Sequence, residues 1–408
     1  ISPACHAAIL ILSHALGVRF NLTFDDTLYA LELPQHGYLM GDLSPDGQYV
    51  VGTVVTYGLD GDPLDSMIMT WELDSSNPDD EEVVTLPSFS VYPLGTLSLP
   101  SQLEYSISPD STLMAFAENN GSVLTILEFP SLDEYLEIDF SEIGQIESLT
   151  WSDTTSEIGI VTWLENGDSF TFARLNPITG EILETRISDT YTLLNFTPAG
   201  WLLWAPAIRT YEFALCRASF TDCVVYESEG RIGNPLTFST PFLSTIRIDE
   251  DHRVIDSIVW ELSATQELIQ QAILDVDLTA SVFSPAGAFV AVELTGKVYE
   301  THTGEVVNEI DEAQRFTWTS YEDYFVSTDP NLPDTGGITL WQVDETTPIA
   351  QIGFDRFIAP DFSENILPHI PGSLYFYHQI SFNSEGDIMF FSFGFYAAVV
   401  RLEHTQNS

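Results

Sequence analysis

A chain of 408 residues with 61 acidic and only 12 basic side chains carries a formal charge of −49. That balance excludes nucleic acid and anionic lipid surfaces as partners, because phosphate binding needs clustered Lys or Arg. Hydrophobic residues make up 44% of the chain, enough for a large core, which excludes intrinsic disorder as the overall state. Lys297 is the only lysine, so the imbalance comes more from missing cations than from surplus carboxylates. Such a surface attracts cationic ligands and divalent metals, and a salt-rich or acidic habitat would relieve its self-repulsion.

The chain opens on an apolar arm, residues 1–24. Within it "AAILILSHALGV" (Ala7–Val18) has the length of a signal-peptide core but no basic start. No run reaches the ~18 apolar residues that span a bilayer. Ile9, Leu10, Ile11 and Leu12 are candidate partner contacts, since a lone apolar segment needs somewhere to be buried. Packing on its own domain and addition to a neighbouring subunit are both open. "ISPACHAAILIL" also reads as a turn and a strand, either part of the arm or a decayed repeat unit, and Cys5 is left over. Asp26–Gln35 reads as an outer strand.

From there a repeat runs through the chain. A small polar residue opens a tight turn at Ser44, Ser108, Ser152, Thr197, Ser239, Ser284, Thr319 and Asn383, in steps of 64, 44, 45, 42, 45, 35 and 64. Each unit has an apolar run before the turn and another after it, such as "AFVAVEL" (Ala288–Leu294). An alternating strand with a terminal aromatic follows, as in "MIMTWEL", "VIDSIVWEL" and "GITLWQV". A last strand often follows a Thr-Gly-Glu turn, as in "NPITGEILETRI". Four short strands per unit, broken by Pro, Asp, Gly and Asn, make the pattern of β-propeller blades. The expected fold is therefore all-β: a single β-propeller of four-stranded blades over residues 25–405. Its last unit lacks a fourth strand, which the N-terminal strand would supply, removing the open edge and giving eight blades. Seven is the alternative count.

Insertions interrupt the repeat near 56–66, 75–100 and 354–379. In the first, Asp60, Asp62 and Asp65 lie close together on a turn-prone loop, a donor set suited to Ca²⁺, though a solvated hairpin tip has the same composition. The third is rich in aromatics, Pro and His; Phe357, Phe362, Tyr375 and Tyr377 would either contact a partner or cover an edge. Cys216 and Cys223 flank a short turn in "EFALCRASFTDCVVYE". With Ser219 and Phe220 at the tip, residues whose numbers sum to 439 face each other, which fits a cross-strand disulfide and an oxidising compartment. Two buried thiols are the alternative. Sequons at Asn21, Asn120 and Asn195 are compatible with glycosylation.

The "SPDG" turns and the "WEL" and "WQV" strand ends resemble WD-repeat and TolB-type propellers over roughly residues 25–405. The Gly-His pair of strict WD repeats is absent, and no Asp follows Trp in those ends. The resemblance therefore implies architecture, not the WD hydrogen-bond relay. No G-x-S-x-G elbow, H-E-x-x-H motif or phosphate loop is present. The expected function is a non-enzymatic, secreted, periplasmic or cell-surface scaffold that binds protein partners and needs no cofactor. Self-assembly through the arm is one form of it. The alternatives are a propeller hydrolase or lactonase-type enzyme with a channel-bound Ca²⁺, and an intracellular scaffold of a salt-adapted cell.

Overall fold

The computed structural model describes residues 20–34, 37–58, 62–73, 83–94, 103–118, 121–152, 154–163, 169–197, 200–204, 212–217, 219–227, 231–232, 234–235, 242–248, 254–263, 267–278, 280–293, 295–310, 315–328, 337–353, 378–383, 385–393 and 396–406. Among these residues there are strands and no helix. The chain divides into two compact units, Ile1–Pro100 with Glu312–Ser408, and Ser101–Asp311.

The first unit begins with β1 (Phe20–Leu31), which does not belong to the sheet of the strand that comes next. β2 (Gly37–Leu43), β3 (Tyr49–Tyr57), β4 (Pro63–Glu72) and β6 (Ser90–Pro93) form the first blade, while β5 (Val83–Leu86) leaves to join another sheet. The second unit holds five blades. They are β7 (Leu103–Ile107), β8 (Leu113–Glu118), β9 (Val123–Glu128) and β10 (Glu134–Asp139); then β11 (Gln145–Trp151), β12 (Ile158–Trp163), β13 (Phe170–Leu175) and β14 (Ile182–Ser188). The fourth blade is β15 (Leu193–Thr197), β16 (Gly200–Trp204), β17 (Glu212–Cys216) and β18 (Cys223–Glu227). The fifth is β19 (Arg231–Ile232), β21 (Phe242–Ile248), β22 (Val254–Leu262) and β23 (Leu268–Leu274). The sixth is β24 (Ala280–Phe283), β25 (Phe289–Val292), β26 (Lys297–Glu300) and β27 (Val306–Glu309), with β20 (Asn234–Pro235) added parallel to β24. The first unit resumes with the seventh blade, β28 (Arg315–Trp318), β29 (Tyr324–Thr328), β30 (Gly337–Gln342) and β31 (Ala350–Gly353). The last blade has β32 (His378–Phe382), β33 (Ile388–Phe393) and β34 (Tyr396–Gln406) from the chain end, and its fourth strand is β1.

The fold is thus the expected all-β, eight-bladed β-propeller, and the count of seven is set aside. β1 pairs antiparallel with β34 from Phe20↔Gln406 to Ala30↔Ala398. It starts earlier and ends sooner than the strand read at 26–35. The polar "DDT" (Asp25–Thr27) falls at the register shift between Phe24 and Leu28, where an irregularity absorbs it. Residues 20–24, counted with the arm, therefore belong to the closing strand. The segment 75–100 is more than an insertion: it supplies β6 to its own blade and β5, which pairs parallel with β1 as a fifth strand.

The repeated turn joins the first and second strands of a blade, and its opening residue is buried. Ser44 Oγ accepts the Tyr49 N–H at 3.0 Å, Ser108 Oγ that of Leu113 at 2.9 Å, and Ser284 Oγ that of Phe289 at 3.0 Å. In the last blade Asn383 Oδ1 does the same for Ile388 at 3.1 Å. The N–H of each of these four residues also donates to the carbonyl five residues on, closing the loop from both sides. Only a short side chain with an acceptor can reach back this way. Ser239 lies outside the described residues.

Second strands are buried on both faces: β16 and β29 are buried throughout and β12 nearly so, which explains their continuous apolar runs. Fourth strands alternate, as in β10 and β14, because one face meets solvent. The side chains between neighbouring sheets form the core. In the second unit Leu124 and Ile126 pack with Trp151, Ile158 and Ile160, and Val161 and Phe172 pack with Trp201 and Leu203. In the first unit Phe390, Ala397 and Val399 of the last blade meet Leu39, Val54 and Trp71 of the first. On third strands the indole N–H groups of Trp260 and Trp341 donate to Thr245 Oγ1 at 2.9 Å and Ser327 Oγ at 2.8 Å on the strand before.

Candidate functional site

Cys216 and Cys223 are direct partners across β17 and β18 and are joined as a disulfide, with Cα atoms 4.0 Å apart. The hairpin tip is pinned to the third blade. Phe220 is fully buried, edge-on to Phe172 at 6.3 Å and Trp201 at 6.1 Å. Its N–H donates to Glu184 Oε2 at 2.9 Å, and Ser219 Oγ donates to Glu184 Oε1 at 2.9 Å. Arg174 bridges Glu184 at 3.0 Å and Glu157 at 2.7 Å, and Arg186 donates to the Phe220 carbonyl at 2.8 Å. Burial would raise the Glu184 carboxyl, but the Phe220 N–H, the Ser219 hydroxyl and Arg174 together hold it below its usual range. The chemistry here is structural: one carboxylate collects the Phe220 N–H, the Ser219 hydroxyl and the Arg174 guanidinium. Sequence reading found the cysteines and missed the clamp, because "ETRIS" reads as an ordinary outer strand.

Of the acidic residues of the first insertion, Asp62 and Asp65 lie on the β4 side of the hairpin. Asp65 lies in β4 opposite Thr56, and its Oδ1 accepts the Ser66 N–H at 3.0 Å; Asp62 accepts the Gly58 N–H through its backbone carbonyl at 2.8 Å. Both are exposed, and Asp60 lies outside the described residues. Among the described residues no three His, Cys, Asp or Glu side chains gather as a metal site. Ile9, Leu10, Ile11, Leu12, Phe357, Phe362, Tyr375 and Tyr377 lie outside the described residues, as do Cys5 and Asn120. Asn21 pairs with Thr405 in the closing strand. Asn195 Oδ1 accepts the Trp204 indole N–H at 2.9 Å from a half-buried position in β15.

Two carboxyls on first strands are perturbed. Burial pushes Glu104 of β7 upward, helped by the negative charge of Glu147 on β11. Burial likewise raises Asp42 of β2, against the Leu43 N–H that donates to it at 2.7 Å.

What the blades present outward is more informative. Leu183 and Ile187 on β14, Val224 and Val225 on β18, and Ile269 and Ile273 on β23 are exposed, and all sit on terminal strands of their sheets. Several of the twelve cations are held by the chain's own acceptors: besides Arg174 and Arg186, Arg247 pairs with Asp256, and Lys297 with Glu309 at 3.5 Å. The outward chemistry is apolar rows set among acids.

No protein-family model matches the chain. No curated protein sequence matches it either. Solved structures do. The crystal structure of Sqt1 from Chaetomium thermophilum aligns over 95% of this chain and 100% of its own, with a TM-score of 0.56 at 10% identity. A crystal structure titled as the eukaryotic initiation factor aligns over 79% of each chain, with a TM-score of 0.50 at 12% identity. The WD40 domain of Neurospora crassa Pan2 covers 77% of this chain and 91% of its own, with a TM-score of 0.45 at 10% identity. At such identities the likeness is one of fold alone, that of a β-propeller.

Proposed function

We propose that this chain is a protein-interaction module: a propeller that binds protein partners through the outward strands of its blades. The observation that carries the reading is the set of large apolar side chains on terminal strands, with Ile187 69% exposed and Ile273 51% exposed, on a surface otherwise rich in carboxylates. The disulfide supports a secreted, periplasmic or cell-surface setting. Self-assembly through residues 1–19 is the specific form we favour. "AAILIL" is too apolar to be left in water, and β1 takes up the chain only from Phe20.

Sedimentation of the parent and of a chain lacking residues 1–19 tests the assembly. The parent should run as an oligomer and the deletion as a folded monomer; equal sedimentation of the two would contradict it. Carboxyl-directed footprinting tests the wider reading, since a chain with one lysine is nearly invisible to amine reagents. Terminal strands should be protected in a native preparation and labelled in the isolated protein. Equal labelling of both would count against an interaction role.

A further inference from the structure

We propose that the outer edge of the second blade is a strand-addition site for an extended, basic segment of a partner protein. This deepens the interaction reading above and rests on it. β10 is the last strand of its sheet, so among the described residues one side of its backbone has no neighbouring strand. It contains neither Pro nor Lys, whereas the corresponding edge strand β6 ends in Pro93. What guards it is the irregularity between Glu134 and Leu136 and the carboxylates of Glu134, Glu137 and Asp139, which repel another acidic edge but not a basic strand. Leu136 and Ile138 turn inward and pack on the core shared with the third blade. Tyr135, Glu137 and Asp139 form the outward row, and all three are exposed.

The row has two chemical ends. The Tyr135 hydroxyl donates to the Ile178 carbonyl at 3.3 Å, and Ile178 is itself 59% exposed, so an aromatic–aliphatic pair stands at one end. At the other, Asp139 accepts the Ser141 N–H at 2.8 Å, which holds its carboxyl below the usual carboxylate value. An added strand places its side chains directly opposite those of β10, where unlike charges attract and like charges repel. Antiparallel to β10, the matching segment reads basic-x-basic-x-apolar from its N-terminus, with the basic residues against Asp139 and Glu137 and the apolar one against Tyr135.

The rest of the chain decides what can answer. With a net charge of −49, and with Arg174, Arg186, Arg247 and Lys297 bonded internally, a second copy would bring like charges to this edge. The occupant must bring its own cations. The molecule already performs the manoeuvre once, where β5 adds to the free side of β1 from Leu28↔Val83 to Leu31↔Leu86. The edge of β14 is also open, but its Leu183 and Ile187 select nothing beyond another apolar strand.

The test uses the full chain and a fluorescein-labelled synthetic decapeptide centred on Lys-Thr-Lys-Val-Leu. Its controls are the same peptide with Glu in place of Lys, and a copy N-methylated at alternate residues that keeps its charge but cannot pair. Anisotropy should show binding of the Lys peptide alone, and hydrogen exchange should slow at residues 134–139. Each opposite-charge pair is worth roughly 1.4- to fivefold, so the reversal Glu137→Lys with Asp139→Lys should weaken binding about tenfold or more. Circular dichroism matching the parent's shows that the variant is folded. The site is overturned if the reversed variant binds as the parent does, if the N-methylated peptide binds equally well, or if protection falls on another strand. In that last case the wider interaction reading still stands; an absence of footprint in the native preparation is what removes it.

Discussion

Replacing Ser108 by Ala tests the turn on which every blade depends. The Ser108 hydroxyl is buried; it accepts the Leu113 N–H at 2.9 Å and the Thr112 N–H at 3.1 Å, and donates to Asp110 Oδ1 at 2.7 Å. Ala fills nearly the same volume, so no cavity term enters. What remains is a buried Leu113 N–H stripped of its acceptor, which costs about 1–3 kcal/mol. A loss of about 2 kcal/mol at neutral pH is expected, read as a lower denaturation midpoint at unchanged m. Ser108→Thr keeps the oxygen and should lose much less. The pH dependence gives a second reading. The Ser108 hydroxyl is the leading cause of Asp110's lowered carboxyl. That contribution is fully present above the ordinary value of 3.8 and is lost as pH falls through the lower folded value. The deficit of the Ala variant should therefore narrow in acid without vanishing, since the stranded Leu113 N–H does not titrate. An Ala variant as stable as the parent at neutral pH would refute the turn's role.

Arg174→Met leaves Glu157 and Glu184 facing each other without their cation, and should destabilise by about 2–3 kcal/mol, discounted from a fully buried pair for partial exposure. Glu184's part in the parent is present above its ordinary 4.5 and lost below it, so the deficit should shrink in acid; a deficit flat with pH would contradict the assignment. Removing the disulfide as Cys216→Ala with Cys223→Ala opens a loop spanning seven positions and should cost about 2–3 kcal/mol in thermal or chemical denaturation. Burial pushes the Tyr57 and Tyr321 hydroxyls up to about 12, with Asp387 and Glu385 adding to Tyr321. Their stabilising contribution is whole below 10.0 and lost as pH rises through about 12, so both should ionise late in a tyrosinate titration. The corresponding Phe variants should resist alkaline unfolding better than the parent.

The blades were legible because each needs the same local chemistry. A side-chain acceptor must cap the turn at Ser44, Ser108, Ser284 and Asn383, and a doubly buried second strand must be continuously apolar. Closure by β1 followed from a chain end one strand short. β19 and β20, of two residues each, and the parallel strand β5 were not legible: pieces that short have no periodicity, and a parallel addition leaves no mark in the strand it joins. The site was harder still. The paired cysteines could be counted across their turn, but the clamp of Arg174, Glu184 and Arg186 depends on contact between two blades, and charges on outer strands look alike whether they face solvent or a neighbour. The arm at 9–12 and the aromatics at 357–377 lie outside the described residues, so their part in any contact rests on composition.

Closure of the last blade by the N-terminal strand is tested most directly by cross-linking its register. Tyr29 and Val399 are direct partners between β1 and β34. In a Cys5→Ser background, Tyr29→Cys with Val399→Cys should oxidise to a disulfide in the native protein, while Tyr29→Cys with Val83→Cys, one position out of step on the other side of β1, should not. Efficient linkage of the mismatched pair, or none of the matched pair in a folded chain, would contradict it.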